Sequence, residues 1–316
     1  METAGASAMA RLRRRFLFTD PANVKAFGDP FRPLEADCAV VQFEQPLSPD
    51  QLRRAGELLA GRAEVELYVH GRASRDLDFL EWFPGLRRLH LSLWELEDIG
   101  GIDAVAAGLE TFTFAPTRRR FSLRFLEAAP ALEQLFLAGH DKDISVISSL
   151  SRIASLGLSR ITLPDLALLI PLRRLKSLKV LLGGTRNLRS LADLEALEDL
   201  FLMRITGLSD LGVLAELAGL ATLRLDWMRN VTSLPSFARL ARLEWVNLDT
   251  MKGLTDLAPI ASAPALRRLW VSNMSQLTAE SFAPFVGHPT LSELSARTGK
   301  AKVNAAVRAM FPGVAR

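Results

Sequence analysis

The chain is short of cysteine, tyrosine, histidine and long apolar runs, and each shortage removes a class of function. A single cysteine, Cys38, among 316 residues cannot close an internal disulfide. The fold must therefore hold by packing, and the chain suits a reducing compartment. The longest nearly uncharged apolar run, residues 166–172, is well below the ~18 residues that cross a bilayer, so no membrane span is expected. An excess of one charge is also missing: 39 Lys and Arg face 35 Asp and Glu. That near balance is a poor basis for nucleic-acid binding, which calls for clustered positive charge.

The first 24 residues carry arginines but only a short apolar patch around Phe16, without the ~7–15 apolar residues of a secretory signal. A cytoplasmic protein is expected. An arginine-rich, acid-poor leader also fits an organelle transit peptide, but Glu2 and Asp20 bracket it and no long amphipathic stretch follows. A composition rich in alanine, leucine and arginine, with one tyrosine, fits a bacterial chain.

What is abundant is leucine, and it repeats. The pattern L-x-x-L-x-L recurs with its middle apolar residue at Leu89, Phe112, Leu135, Leu156, Leu178, Leu200, Leu223, Val246, Leu269 and Leu294, in steps of 21 to 25 residues. Internal repetition at this period marks a solenoid, whose units are too small to bury an apolar face alone and so stack on one another.

These residues resemble the leucine-rich repeat family, over about residues 64–297. Segments such as Gly253-Leu254-Thr255-Asp256-Leu257 and Gly207-Leu208-Ser209-Asp210-Leu211 resemble the 22-residue internalin-type subclass. The resemblance implies an α/β solenoid, a horseshoe or arc, with one parallel β-sheet on its concave face and short 3₁₀ or α turns on its convex face. It also implies a non-catalytic module for protein–protein interaction. The recurrent Asp165, Asp210 and Asp256 read as caps of the returning turns, a carboxylate accepting from free backbone N–H groups, rather than as catalytic acids. One departure concerns the family's Asn or Cys, three residues after the third leucine. Here that slot holds Trp94, Thr117, His140, Ile161, Gly183, Ile205, Met228, Met251 and Met274. Apolar packing of the inner edge and a less regular superhelix are expected.

Four regions follow: residues 1–20 as a flexible basic tail, 21–63 as an N-terminal capping strand and helix, 64–297 as the repeats, and 298–316 as a C-terminal capping helix. The helix in the N-terminal cap is announced by Ser48-Pro49-Asp50-Gln51, a capping box with proline at the first helical position.

Side chains alternate along a strand. With the leucines turned inward, the residues around them share the outer face. On that face Trp245 and Trp270 fall on adjacent units beside Phe201, Met203, Arg224, Asp226, Asp249 and Arg268, with Lys179 to one side and Trp227 one step past its strand. Aromatics and arginine dominate many binding surfaces, so these ten residues are the candidate partner site. A second account also fits: the rings stack on each other across strands and stabilise the sheet.

Other chemistry finds little support. His70 and His90 lie on neighbouring units without a third ligand in the columns beside them, so no metal is expected. Cys38 has no base near it in repeat order. Gly183-Gly184 and Gly299-Lys300 lack the spacing of a phosphate loop, and no cofactor is expected. The partner is expected to be a protein. Two alternatives remain: a nucleic-acid-associated protein using Arg11, Arg13, Arg14, Arg15 and the run Arg118, Arg119 and Arg120, or a regulatory or inhibitory subunit of an enzyme.

Overall fold

The computed structural model describes residues 14–17 and 38–314. The chain divides into two compact units, residues 1–146 and 147–316. The first contains β1 (Arg14–Leu17), β2 (Cys38–Phe43), α1 (Pro49–Leu59), β3 (Glu66–His70), β4 (Arg88–Ser92), β5 (Thr111–Phe114) and β6 (Gln134–Ala138). Its strands pair in parallel, each with the next in sequence. Arg14–Leu17, expected as part of a loose tail, is instead a strand. Strand β2 would otherwise present a free edge, and an extended segment satisfies its backbone groups. The rest of the expected tail, including Arg11 and Arg13, lies outside the described residues, as does the first part of the expected cap.

The second unit contains β7 (Ser155–Ser159), β8 (Ser177–Leu181), β9 (Asp199–Met203), β10 (Thr222–Asp226), β11 (Trp245–Asp249), α2 (Ala258–Ala261), β12 (Arg268–Ser272), β13 (Glu293–Arg297) and α3 (Ala301–Met310). Its strands are again parallel neighbours in sequence order. Each strand from β4 to β13 contains the middle residue of one L-x-x-L-x-L pattern, as the repeat requires. The fold is a leucine-rich repeat solenoid. Its open parallel sheets alternate with short 3₁₀ turns, such as Arg189–Asp193 and Gly212–Glu216.

The burial pattern follows from the alternation. Along β10 the pattern puts Leu223 and Leu225 inside, and along β11 it does the same for Val246 and Leu248, all fully buried. Each such side chain contributes about 1.5–3 kcal/mol of apolar burial. The returning turns are fixed by Asx turns. Asp165 Oδ1 accepts from the Ala167 N–H at 2.9 Å, Asp210 Oδ1 from Gly212 at 2.8 Å and Asp256 Oδ1 from Ala258 at 2.8 Å. These aspartates act one residue before the N-cap position proper, which is Leu166, Leu211 and Leu257 respectively. The capping box of α1 is complete, with Gln51 N–H donating to Ser48 Oγ and Ser48 N–H to Gln51 Oε1.

The bend after each strand is uniform from β7 to β12 and mixed in the first unit, where Gly71 after β3 and Gly139 after β6 are left-handed. In the second unit Arg160, Leu182, Arg204, Trp227, Thr250 and Asn273 all have φ between 53° and 58°, in the left-handed region. Each donates its N–H to the last residue of the next strand, as Trp227 does to the Asp249 carbonyl at 2.8 Å. A left-handed residue interrupts the two-residue alternation, so the following slot residue turns inward: Ile161, Ile205, Met228, Met251 and Met274 are all buried. Gly183 fills the same slot because a Cβ there would stand 2.2 Å from the Ile161 carbonyl oxygen.

The bend directly after β4 has no left-handed residue. Alternation runs on, Leu93 is fully buried and Trp94, expected to pack the inner edge, is 55% exposed. The expected apolar inner edge is also incomplete elsewhere. His140 occupies its slot against Phe114, with ring centroids 3.8 Å apart, and its Nε2 bonds the Ala115 carbonyl at 3.1 Å. Burial pushes the His140 pKa below the ordinary imidazole value, and the bond to Ala115 offsets part of that effect. Gln276 contributes a similar polar tie, donating from Nε2 to the carbonyls of Met251 at 2.7 Å and Leu254 at 2.8 Å.

Candidate functional site

All ten candidate residues lie in the second unit, and its register sorts them into rows. The first outward row runs Ser177, Asp199, Thr222, Trp245, Arg268, Glu293. The second runs Lys179, Phe201, Arg224, Asn247, Trp270, Ser295, and the third Leu181, Met203, Asp226, Asp249, Ser272, Arg297. Parallel strands are ~4.8 Å apart, so neighbours within a row can touch.

Several do. Trp245 and Trp270 meet edge to face with centroids 5.1 Å apart. The Arg268 guanidinium lies over the Trp245 ring at 5.2 Å, and the Arg224 guanidinium over Phe201 at 4.0 Å. Trp270 Nε1 donates to Glu293 Oε1 at 3.2 Å. The cross-strand stacking account is therefore physically realised, and both tryptophans are only half-buried rather than sunk in the core. Phe201 departs from expectation. Arg224 covers its ring, and it is 9% exposed, so it offers a partner a platform under a cation rather than an open surface.

Trp227 is 42% exposed, held outward by its place on the left-handed bend. Met203 and Lys179 are half-buried on the open face. The Trp245 indole N–H is shielded from solvent and has no acceptor among the described residues. An unmet donor of this kind costs about 1–3 kcal/mol.

The carboxylates form the polar part. Asp226 and Asp249 are register partners on adjacent strands. Asp226 Oδ1 accepts from Asn247 Nδ2 at 3.1 Å, and Asp249 Oδ1 from Thr250 Oγ1 at 2.6 Å and Asn273 Nδ2 at 2.9 Å. Burial pushes the Asp226 pKa up to about 6. Arg224 and the Asn247 bond pull it down, and Asp249 adds to the rise. Neither carboxylate forms an ion pair among the described residues. Asn247, Thr250 and Asn273, absent from the candidate set, were missed because their role is to hold these carboxylates, which only cross-strand register and bend geometry bring about.

Elsewhere, the Tyr68 ring stacks on His70 at 4.5 Å and meets His90 at a tilt at 4.3 Å. No group of three or more His, Cys, Asp or Glu that could hold a metal ion occurs among the described residues. No helix among them is long and apolar enough to cross a membrane. A 730 Å³ cleft lined by Arg186, Asn187, Arg189, Asp210 and Glu216 lies by the 3₁₀ turns of the second unit, apart from the three rows.

Among solved structures, the internalin InlF from Listeria monocytogenes matches 87% of this chain and 77% of its own length at 18% identity, with a TM-score of 0.57. The internalin InlC2 from the same organism matches 63% of this chain and 80% of its own at 24% identity, with a TM-score of 0.40. A leucine-rich repeat protein from Leptospira interrogans matches 95% of this chain and 99% of its own at 14% identity, with a TM-score of 0.46. At these identities the likeness is one of fold, and InlF agrees with the leucine-rich repeat architecture built up from the strands above. No protein-family model and no curated protein matches the chain.

Proposed function

We propose that the chain is a non-catalytic binding module whose second unit docks a protein partner on the open face of strands β8–β12. One observation carries the reading: Trp245, Trp270, Arg224 and Arg268 are already fixed by ring–ring and cation–ring contacts before any partner arrives. A surface ordered in advance loses little side-chain entropy on docking. Half-exposed indoles supply apolar area, and the carboxylates beside them set orientation. The leucine-rich repeat fold supports the reading in general terms, since stacked units present a long side-chain surface on one sheet face. The proposed setting is the cytoplasm, which suits a chain with a single cysteine, Cys38, and so no internal disulfide.

The test is affinity purification from cells, with mass spectrometry comparing wild type, the double variant Trp245→Ala/Trp270→Ala, and Trp94→Ala as a control on the other unit. A partner retained by wild type and Trp94→Ala but lost by the folded double variant is expected. A partner retained equally by all three would remove the open face of the second unit from consideration.

A further inference from the structure

We propose that the third outward row across β8–β11 binds an extended peptide whose arginine or lysine sits between Asp226 and Asp249, with apolar residues two and four positions away on Met203 and Leu182. The proposal rests on the reading that this face docks a protein segment, and specifies the chemistry of that segment.

The row changes character along its length. At β8 and β9 it offers Leu181 and Met203, with Leu182, 37% exposed, on the adjoining bend. At β10 and β11 it becomes Asp226 and Asp249, facing each other in register. The 42% exposed Trp227 flanks the change on the bend after β10. With ~4.8 Å between strands, the gap between the carboxylates is about 7 Å from Met203 and about 12 Å from the β8 positions. An extended chain crossing the strands places side chains on one face every ~6.8 Å. A cation at one position and apolar groups two and four residues away therefore match the spacing of the surface.

No cation of the protein forms an ion pair with either carboxylate among the described residues. Arg224, on the same strand as Asp226, lies over the Phe201 ring, and neither Arg204 nor Lys179 forms an ion pair with Asp226 or Asp249. Every hydrogen bond that the two side chains accept is on Oδ1, which leaves both Oδ2 atoms open among the described residues. Two carboxylates held side by side, one of them partly desolvated, repel each other, and a guanidinium or ammonium between them relieves both effects. The raised pKa of Asp226, driven by burial and only partly offset by Arg224 and Asn247, is consistent with such a site. An acidic partner is disfavoured because Arg224 and Arg268 are already engaged with aromatic rings.

The experiment selects peptides from a random nine-residue phage library on the immobilised full chain, then measures synthetic, fluorescein-labelled winners by anisotropy. Selected sequences are expected to carry Arg or Lys with apolar residues two and four positions away. Binding is expected to weaken about tenfold for Asp226→Asn/Asp249→Asn and for Leu182→Ser/Met203→Ser, with circular dichroism melting confirming that both variants fold. Selection of acidic or uncharged sequences, equal binding by the Asn double variant, or selection of nothing would each overturn the proposal. If the winners ignore the Asp substitutions but are lost on Trp245→Ala/Trp270→Ala, the docking face stands and this assignment of its ligand fails. If the tryptophan variant also binds them unchanged, both readings fail together.

Discussion

The two units share one repeat but differ in how uniformly they bend: the left-handed turn that follows every strand from β7 to β12 recurs in the first unit after β3 and β6, at Gly71 and Gly139, but not directly after β4. After β7 to β12 a left-handed residue follows each strand and the slot residue beyond it turns inward. After β4 the extended conformation continues, Leu93 takes the inner place and Trp94 is pushed out. From β7 to β12, and after β6, the left-handed bend and burial of the residue three places after the last core residue go together, although Arg72 stays exposed after the left-handed Gly71. The recurrent bend also brings Trp227, Thr250 and Asn273 beside the open face, where two of them hydrogen-bond Asp249. Regularity in the second unit therefore serves the candidate site as well as the core.

The largest expected effect tests the slot directly. Met251→Ala, in an inward slot with no exposure, should destabilise the second unit by about 3 kcal/mol by leaving a cavity. Trp94→Ala should change stability by no more than about 0.5 kcal/mol. Urea denaturation, with hydrogen exchange reporting each unit separately, would show whether the contrast holds. Equal effects would mean that the bend does not set slot burial.

A double-mutant cycle on Trp245 and Trp270 should return a coupling of about 1 kcal/mol, the ordinary value of an edge-to-face pair. A coupling near zero would show that the contact adds nothing to the sheet and would remove the purely structural account of these rings.

Asp226 makes the second unit sensitive to pH. Its folded pKa, about 6, lies above the ordinary value of 3.8, so between those values the folded chain holds the proton more often than the unfolded chain. Stability is then highest below the unfolded value and falls as pH rises toward and through 6. Because the side chain is only half-buried, the loss should be about 1 kcal/mol by pH 7.5. Comparison of wild type with Asp226→Asn at pH 5 and 7.5 by thermal melting measures it. The variant should gain relative to wild type at the higher pH, and no such gain would place Asp226 in ordinary solvent.

The smallest effect concerns the bend itself. Leu182 adopts φ 55° while 37% exposed, a conformation that L-residues resist and glycine accepts. Leu182→Gly should stabilise the second unit by up to about 1 kcal/mol. The same change at Leu93, buried and outside the left-handed region, should destabilise the first. Denaturation midpoints that move in the same direction for both would break the comparison between the bends.

The repeat and the inward leucines were legible from spacing, because a period of about 22 residues leaves each unit one way to bury its apolar face. The strands and returning turns followed from the resemblance to leucine-rich repeats, and Asp165, Asp210 and Asp256, expected as caps, act one residue earlier as Asx turns. The outward columns were legible for the same reason, since a strand alternates and the register of a stacked parallel sheet repeats. That reasoning brought Trp245, Trp270, Arg268, Asp226 and Asp249 together correctly, although it could not show Phe201 disappearing under Arg224. It also misplaced Trp94, because nothing in the pattern L-x-x-L-x-L distinguishes a bend that turns left-handed from one that runs on.

Sequence by itself therefore determined which side chains face in, which face out and which lie opposite one another, since these follow from local periodicity. Tertiary structure alone decided which outward groups are covered, which carboxylate is desolvated and which indole remains exposed. Those properties depend on rotamers and bends settled by neighbours some 20 residues away in the chain and one strand away in space.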